Sequence, residues 1–210
     1  MNGQVDKPKL IYVGDPMCSW CYGISEELSK TVDHYGDQME LEIIMGGLRA
    51  GGGEEWNSSF KEFLRHHWEE VGMKSGQPFK FDLLDRSEFD YDTEPACRAV
   101  VAVGEIDKTK MLLFFKAVQK GFYVDNNDPK EVEFYRPICM SMDIDFEIFS
   151  LKFESEEMKL ETIKHFQRST ELGARSFPTL FIEYKGERQA VAIGYSTFEK
   201  MKGRIDAIIQ

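Results

Sequence analysis

Two cysteines three positions apart, Cys18 and Cys21, are the residues of this 210-residue chain best suited to do chemistry. They follow a strand-like run over residues 10–13 and open a run in which apolar residues recur at helical spacing as far as Tyr35. A Cys-x-x-Cys pair at a strand-to-helix junction indicates a redox-active dithiol. The alternatives are half of a zinc site or two unrelated buried thiols.

The position of the pair predicts a different role for each thiol. Backbone N–H groups without intrahelical partners and the positive end of the helix dipole favour a thiolate at Cys18, and the thiolate is the nucleophile. Cys21, one turn further on, is placed to resolve a mixed disulfide on Cys18. A zinc site would need a second ligand pair, and Cys97 and Cys139 have no partner at suitable spacing. We therefore predict no metal and expect these two to be inert buried thiols. The alternative for Cys97 is a lowered pKa, because it lies near a predicted helix start.

The residues between the thiols tune them. Ser19 and Trp20 are uncharged, which predicts a pair less oxidising than the strongest oxidants of this type. We expect Trp20 to be half-exposed, where it shields the thiols and contacts substrate.

A second motif precedes a later strand. Phe177, Pro178 and Thr179 lie where proline is tolerated at a strand entry, and an X–Pro bond adopts the cis form at low cost. We predict a cis bond that turns the Phe177 backbone toward the thiols and lets it pair with an extended peptide. The alternative is an ordinary trans proline. The predicted substrate-binding residues are Ser19, Trp20, Phe177, Pro178 and Thr179.

The order of elements indicates an α/β fold. Strands are predicted at residues 10–13, 39–45, 179–184 and 188–193, with helices at 18–35 and 197–209. About 120 residues between them read as helices and loops, with a helix from Asp128 that is kinked or ended near Pro137. We predict one domain from residues 1–53 and 174–210, and a helical insertion over 54–173.

Composition excludes several partner classes. The net charge is −11 and the pI about 4.9, so the surface repels phosphate backbones and anionic lipid. No apolar run is long enough to span a bilayer, and the N-terminal residues lack the apolar core of a signal peptide. We expect a cytoplasmic protein that binds neither nucleic acid nor membrane and needs no cofactor.

Four motifs together resemble the DsbA family of thioredoxin-like proteins, and within it the cytoplasmic predicted disulfide isomerases related to FrnE. They are residues 15–21 (DPMCSWC), 46–48 (GGL), 94–99 (EPACRA) and 177–179 (FPT). The resemblance spans nearly the whole chain. It implies a thioredoxin-like fold with an inserted all-helical domain, redox cysteines at Cys18 and Cys21, and a cis proline at Pro178.

The resemblance implies a thiol–disulfide oxidoreductase or isomerase whose partners are thiol or disulfide proteins, with glutathione as a further candidate. Kappa-class glutathione transferases and 2-hydroxychromene-2-carboxylate isomerases resemble the chain in architecture but typically carry serine where this chain has Cys18. A glutathione-binding isomerase or transferase is therefore one alternative. A non-catalytic thioredoxin-like adaptor is the other.

Overall fold

Four strands form one mixed sheet in the computed structural model, which describes residues 7–210. The strands are β1 (Lys9–Gly14), β2 (Glu40–Met45), β3 (Thr179–Tyr184) and β4 (Glu187–Ile193), in the order β2-β1-β3-β4. β1 runs parallel to β2 and antiparallel to β3, and β3 and β4 form a hairpin. All four predicted strands are confirmed, because their apolar residues and bounding turns were strong local signals.

Six of the nine helices in the described part of the chain lie between β2 and β3. Local capping defines several of their ends: the Asn57 side chain accepts a hydrogen bond from the Phe60 N–H, and Gly76 closes the same helix in a left-handed conformation. The helices are α1 (Ser19–Gly23), α2 (Ser25–Tyr35), α3 (Ser58–Ser75), α4 (Glu94–Ile106), α5 (Met111–Tyr123), α6 (Arg136–Ser141), α7 (Phe146–Glu154), α8 (Glu156–Glu171) and α9 (Phe198–Ile209).

The predicted single helix over residues 18–35 is wrong in one respect, because it is divided at Ile24 into α1 and α2. Close packing against α3 accompanies the division. A Cβ added to Gly23 would lie 2.7 Å from the Val71 side chain. This tertiary contact is invisible in the local pattern that predicted a continuous helix.

The helix predicted from Asp128 differs from the structure in its start and type, although a helical segment does end near Pro137, as predicted. A short 3₁₀ turn at Val132–Tyr135 comes first, and Pro137 lies in the first turn of α6. Proline is favoured there because its missing N–H would have no intrahelical partner in any case.

The hydrophobic core is continuous between the sheet and the helices. The Tyr12 ring on β1 meets the Phe115 ring on α5 edge-on, with 5.6 Å between their centroids. Residues of the sheet and of every helix from α3 to α8 belong to one buried cluster. On the other face, Ile11 and Val13 pack with Leu172, which follows α8. The division of the chain into a 1–53 plus 174–210 domain and a 54–173 insertion stays a proposal.

None of the helices within residues 7–210 is both long and apolar enough to cross a membrane. The prediction that the chain starts without a signal peptide falls largely on residues 1–6, which lie outside the described residues.

Candidate active site

Cys18 lies at the N-terminal end of α1, next to the loop that precedes β3. It caps the helix and is 5 % exposed. Its Sγ is 3.6 Å from the carbonyl oxygen of Phe177, to which it donates a hydrogen bond. The Phe177–Pro178 peptide bond is cis, as predicted. The fold therefore brings together two motifs that are 159 positions apart.

Cys21 is completely buried, and both thiols are unpaired. The backbone N–H of Asp15 donates to its Sγ at 3.5 Å. Burial raises the pKa of Cys21 well above its usual value and the neighbouring Cys18 raises it further, although the Tyr12 side chain acts to lower it. The pair is therefore asymmetric, with Cys18 nearer the surface and Cys21 held protonated in the interior.

The Phe177 side chain packs on the glycine that follows β2. A Cβ added to Gly46 would lie 2.3 Å from the Phe177 ring, so only a residue without a side chain fits there. Phe177 itself is half-buried. The absence of a side chain at Gly46 leaves room for the Phe177 ring, while the carbonyl of the same residue contacts Cys18.

The other predicted substrate-binding residues differ in exposure. Ser19 and Trp20 are half-buried at the start of α1, and the Trp20 ring lies 6.5 Å from that of Tyr195. The half-exposure expected for Trp20 is therefore observed. Pro178 and Thr179 are buried, and the Thr179 hydroxyl donates to the Ser176 carbonyl at 2.7 Å. Their roles toward a substrate stay predictions.

Sequence reasoning missed the buried groups behind the thiols. The local pattern predicts only a strand position for Tyr12, and its place six residues before Cys18 on the inward face of β1 is the available signal. Asp15 was noted only as part of a motif, yet its carboxylate is fully buried. Tyr91, whose hydroxyl donates to the Met17 carbonyl at 2.8 Å, lies in a region that was predicted only as a loop.

The two remaining cysteines are buried and unpaired. Burial raises the pKa of Cys97 well above its usual value and that of Cys139 to about 11. Both therefore keep their protons at neutral pH, which agrees with the expectation that they are inert. Among residues 7–210, no three His, Cys, Asp or Glu side chains are grouped so that they could hold a metal ion.

Comparison with known families gives a match over most of the chain. A family model described as thioredoxin matches residues 11–201. A solved structure described as a "putative protein disulfide isomerase from Nitrosomonas europaea" is 33 % identical, with a TM-score of 0.89 and coverage of 98 % of each chain. A search of curated proteins found no match.

More distant structures share the fold. The cytosolic disulfide reductase DsbM from Pseudomonas aeruginosa is 22 % identical, with a TM-score of 0.77 over 96 % of this chain and 98 % of its own. A 2-hydroxychromene-2-carboxylate isomerase is 11 % identical, with a TM-score of 0.64 over 95 % of this chain and 94 % of its own. At these identities the likeness concerns the fold alone.

Proposed function

Because the chain belongs to the DsbA-like thioredoxin family, we propose that it is a thiol–disulfide oxidoreductase in which Cys18 is the nucleophile and Cys21 the resolving thiol. One observation carries the assignment of roles. Cys18 lies at a helix N-terminus beside the Phe177 carbonyl, whereas Cys21 is fully buried. Only Cys18 is placed to meet an external disulfide.

The reaction proceeds by two exchanges. The Cys18 thiolate attacks one sulfur of a substrate disulfide, forms a mixed disulfide and expels the other substrate sulfur as a thiolate, which takes a proton from water. Cys21 then loses its proton and attacks Cys18, so that the Cys18–Cys21 disulfide forms and the second substrate thiolate leaves. The substrate gains two electrons and the protein loses them. The reverse sequence oxidises a substrate dithiol.

Substrate binding is assigned to the surface around Cys18. Phe177 and Pro178 border the thiol, and Ser19 and Trp20 flank it at the start of α1. Protein disulfides are the proposed substrates, and glutathione is the proposed small partner. A solved structure of the distant relative DsbM is described as a complex with GSH, which supports testing glutathione first.

The test is Cys18→Ser in an insulin-reduction assay with glutathione as the reductant. We expect the rate to fall to that of the uncatalysed reaction, because serine cannot form the mixed disulfide. Cys139→Ser is the matched control, since it changes a buried thiol on α6 and should keep the wild-type rate. Equal rates in Cys18→Ser and wild type would contradict the proposal.

The reduction potential of the pair decides the direction of catalysis. A value near that of thioredoxin, about −270 mV, makes the protein a reductase, whereas a value well above about −200 mV makes it an oxidase or isomerase. We propose that it works in the cytoplasm, where a reductase would be in its usual environment.

The alternatives predict different results for the same variant. An adaptor that only holds a partner would keep its function in cells when Cys18 is replaced by serine. A glutathione-dependent isomerase or transferase would bind glutathione without reversible exchange at Cys18 and Cys21. The intact cysteine at position 18 favours disulfide chemistry over both.

A further inference from the structure

Cys97 on α4 has a specific polar partner. Its Sγ lies 3.4 Å from Oδ2 of Asp15, and the two residues are 82 positions apart. Both side chains are completely buried. Because burial and the nearby carboxylate raise the pKa of Cys97 well above its usual value, the thiol keeps its proton and acts as the donor.

The Asp15 carboxylate receives two further hydrogen bonds. The Met17 N–H donates to Oδ1 at 2.8 Å, and the Leu48 N–H donates to Oδ2 at 2.7 Å. The nearby hydroxyl of Thr93, the residue before α4, also acts to lower the pKa of Asp15. The carboxylate therefore joins the loop that carries Cys18, the loop after β2 and the start of α4.

No cation pairs with Asp15 among residues 7–210. Arg49, on the same loop as Leu48, pairs instead with Glu54 at 2.5 Å. Burial raises the pKa of Asp15, while its donors act in the opposite direction. The titratable groups around the Asp15 carboxylate are thiols and phenols from five parts of the fold. They are Tyr12 on β1, Cys18 and Cys21 at α1, Tyr91 in the loop before α4, Cys97 on α4 and Tyr123 on α5.

The backbone of Asp15 contacts both residues of the redox pair. Its N–H donates to the Cys21 Sγ at 3.5 Å, and its carbonyl accepts from the Cys18 N–H at 3.1 Å. The buried carboxylate is thus held at the N-terminal turn on which the nucleophile sits, where it opposes the positive end of α1.

We propose that Asp15 and Cys97 form a carboxylate–thiol pair that positions the loop carrying Cys18 and Cys21 and biases the dithiol toward the reducing side. The inference rests on the proposed function. Asp15 and Cys97 act as positioning residues, because neither exchanges a disulfide. A buried negative charge disfavours a thiolate nearby. Thiolates exist only in the reduced protein, so the charge favours the Cys18–Cys21 disulfide and makes the dithiol a better reductant.

The first experiment compares wild type and Asp15→Asn in glutathione buffers from pH 6 to pH 8.5. It measures the equilibrium in which two glutathione thiols and the protein disulfide give glutathione disulfide and the protein dithiol. At pH 8.5, removal of the charge should shift the equilibrium constant about tenfold toward the dithiol. This corresponds to a rise of about 30 mV in the reduction potential. The difference should shrink toward pH 6, where thiols carry their protons. If Asp15→Asn only damaged the fold, the difference from wild type would not increase with pH as the thiols ionise.

The second experiment uses Cys97, so that the test does not depend on the folding of Asp15→Asn. Carbon-13 NMR of labelled aspartate follows the titration of the Asp15 carboxyl carbon in Cys97→Ala and Cys97→Ser. Loss of the donor in Cys97→Ala should raise the midpoint by about half a pH unit to one unit. Cys97→Ser keeps a donor and should titrate like the wild type.

Three results would overturn the inference. The first is an unchanged glutathione equilibrium in Asp15→Asn at every pH, and the second is an unchanged Asp15 titration in Cys97→Ala. The third is the absence of reversible exchange in the wild type, which would refute the proposed function as well. The first result has meaning only when the wild type exchanges, and the second is read by NMR without any exchange, so failure of the inference is distinguishable from failure of the proposed function.

Discussion

At the scale of single residues, the two thiols differ in their distance from solvent: Cys18 is 5 % exposed, whereas Cys21 is completely buried. Cys21 has no exposed surface, and its pKa is raised by burial. In the second exchange it must nevertheless lose its proton. Tyr12 is a close neighbour of this thiol. Burial raises the pKa of its hydroxyl well above the usual value, so the hydroxyl keeps its proton and can donate it in a hydrogen bond. We expect it to stabilise the Cys21 thiolate as that thiolate forms.

Tyr12→Phe should therefore slow the second exchange and leave the first unchanged. Loss of a hydrogen bond to a charged group corresponds to about a tenfold drop in rate. The mixed disulfide on Cys18 should accumulate, which mass spectrometry of acid-quenched samples can detect.

Tyr22→Phe is the matched control for Tyr12→Phe. Tyr22 also lies on α1, but its hydroxyl donates to the Pro78 carbonyl at 3.2 Å and not to either thiol. It should resolve the mixed disulfide at the wild-type rate. A Tyr12→Phe protein that resolves as fast as the Tyr22→Phe protein would refute the role given to Tyr12.

At the scale of elements, the loops that follow the strands position the thiols. The residues after β2 contact Phe177 and Asp15, through Gly46 and the Leu48 N–H. The cis Phe177–Pro178 bond comes directly before β3. Close backbone approach, rather than polar contact, places the Phe177 ring.

Gly46→Ala should displace Phe177 and impair exchange. The new methyl group would lie 2.3 Å from the ring, so the ring or the loop must move. We expect a lower rate of insulin reduction together with a loss of stability of about 1–3 kcal/mol, the usual cost of overpacking. Urea unfolding measures the second effect.

Gly203→Ala is the control for Gly46→Ala. Gly203 lies within α9, and a Cβ there would meet nothing within 4 Å. This substitution should raise stability by up to about 1 kcal/mol through helix propensity and leave the exchange rate unchanged. Equal activity in the two variants would show that the contact between Gly46 and Phe177 does not matter for exchange.

At the scale of the whole molecule, the continuous core contains many protonated acids. Burial raises the pKa of each of these groups in the native state: Tyr12, Cys21, Tyr91, Cys97, Tyr123 and Tyr135. The native protein thus retains protons that the unfolded chain loses, beginning near pH 8.5 for thiols and pH 10 for phenols.

Alkaline pH should therefore destabilise the reduced protein. The stabilisation from these groups is fully present below their unfolded pKa values and is lost as pH rises, with each group contributing up to about 1.4 kcal/mol per pH unit. Urea unfolding at pH 7, 9 and 10.5 should give steadily lower free energies of unfolding. A constant free energy over this range would contradict the prediction.

The four strands, the helical nature of the region between β2 and β3, the Cys-x-x-Cys spacing and the cis proline could be predicted from the sequence, because each depends on local signals. Alternating or continuous apolar runs, a Cys-x-x-Cys spacing and an X–Pro before a strand are all read within a few residues. The family resemblance rested on the same short motifs. The break at Ile24 and the start of α6 escaped prediction because packing or exact helix position decided them.

The residues that surround the thiols could not be predicted, because long-range packing brings them there. Asp15 meets Cys97 across 82 positions, and Cys18 meets Phe177 across 159. A local pattern carries no information on such contacts, since they follow from how β1 pairs with β3 and from the contact of Cys97 on α4 with Asp15, the residue after β1. The different burial of Cys18 and Cys21 has the same origin. From the sequence, the two thiols differ only in their order along the helix.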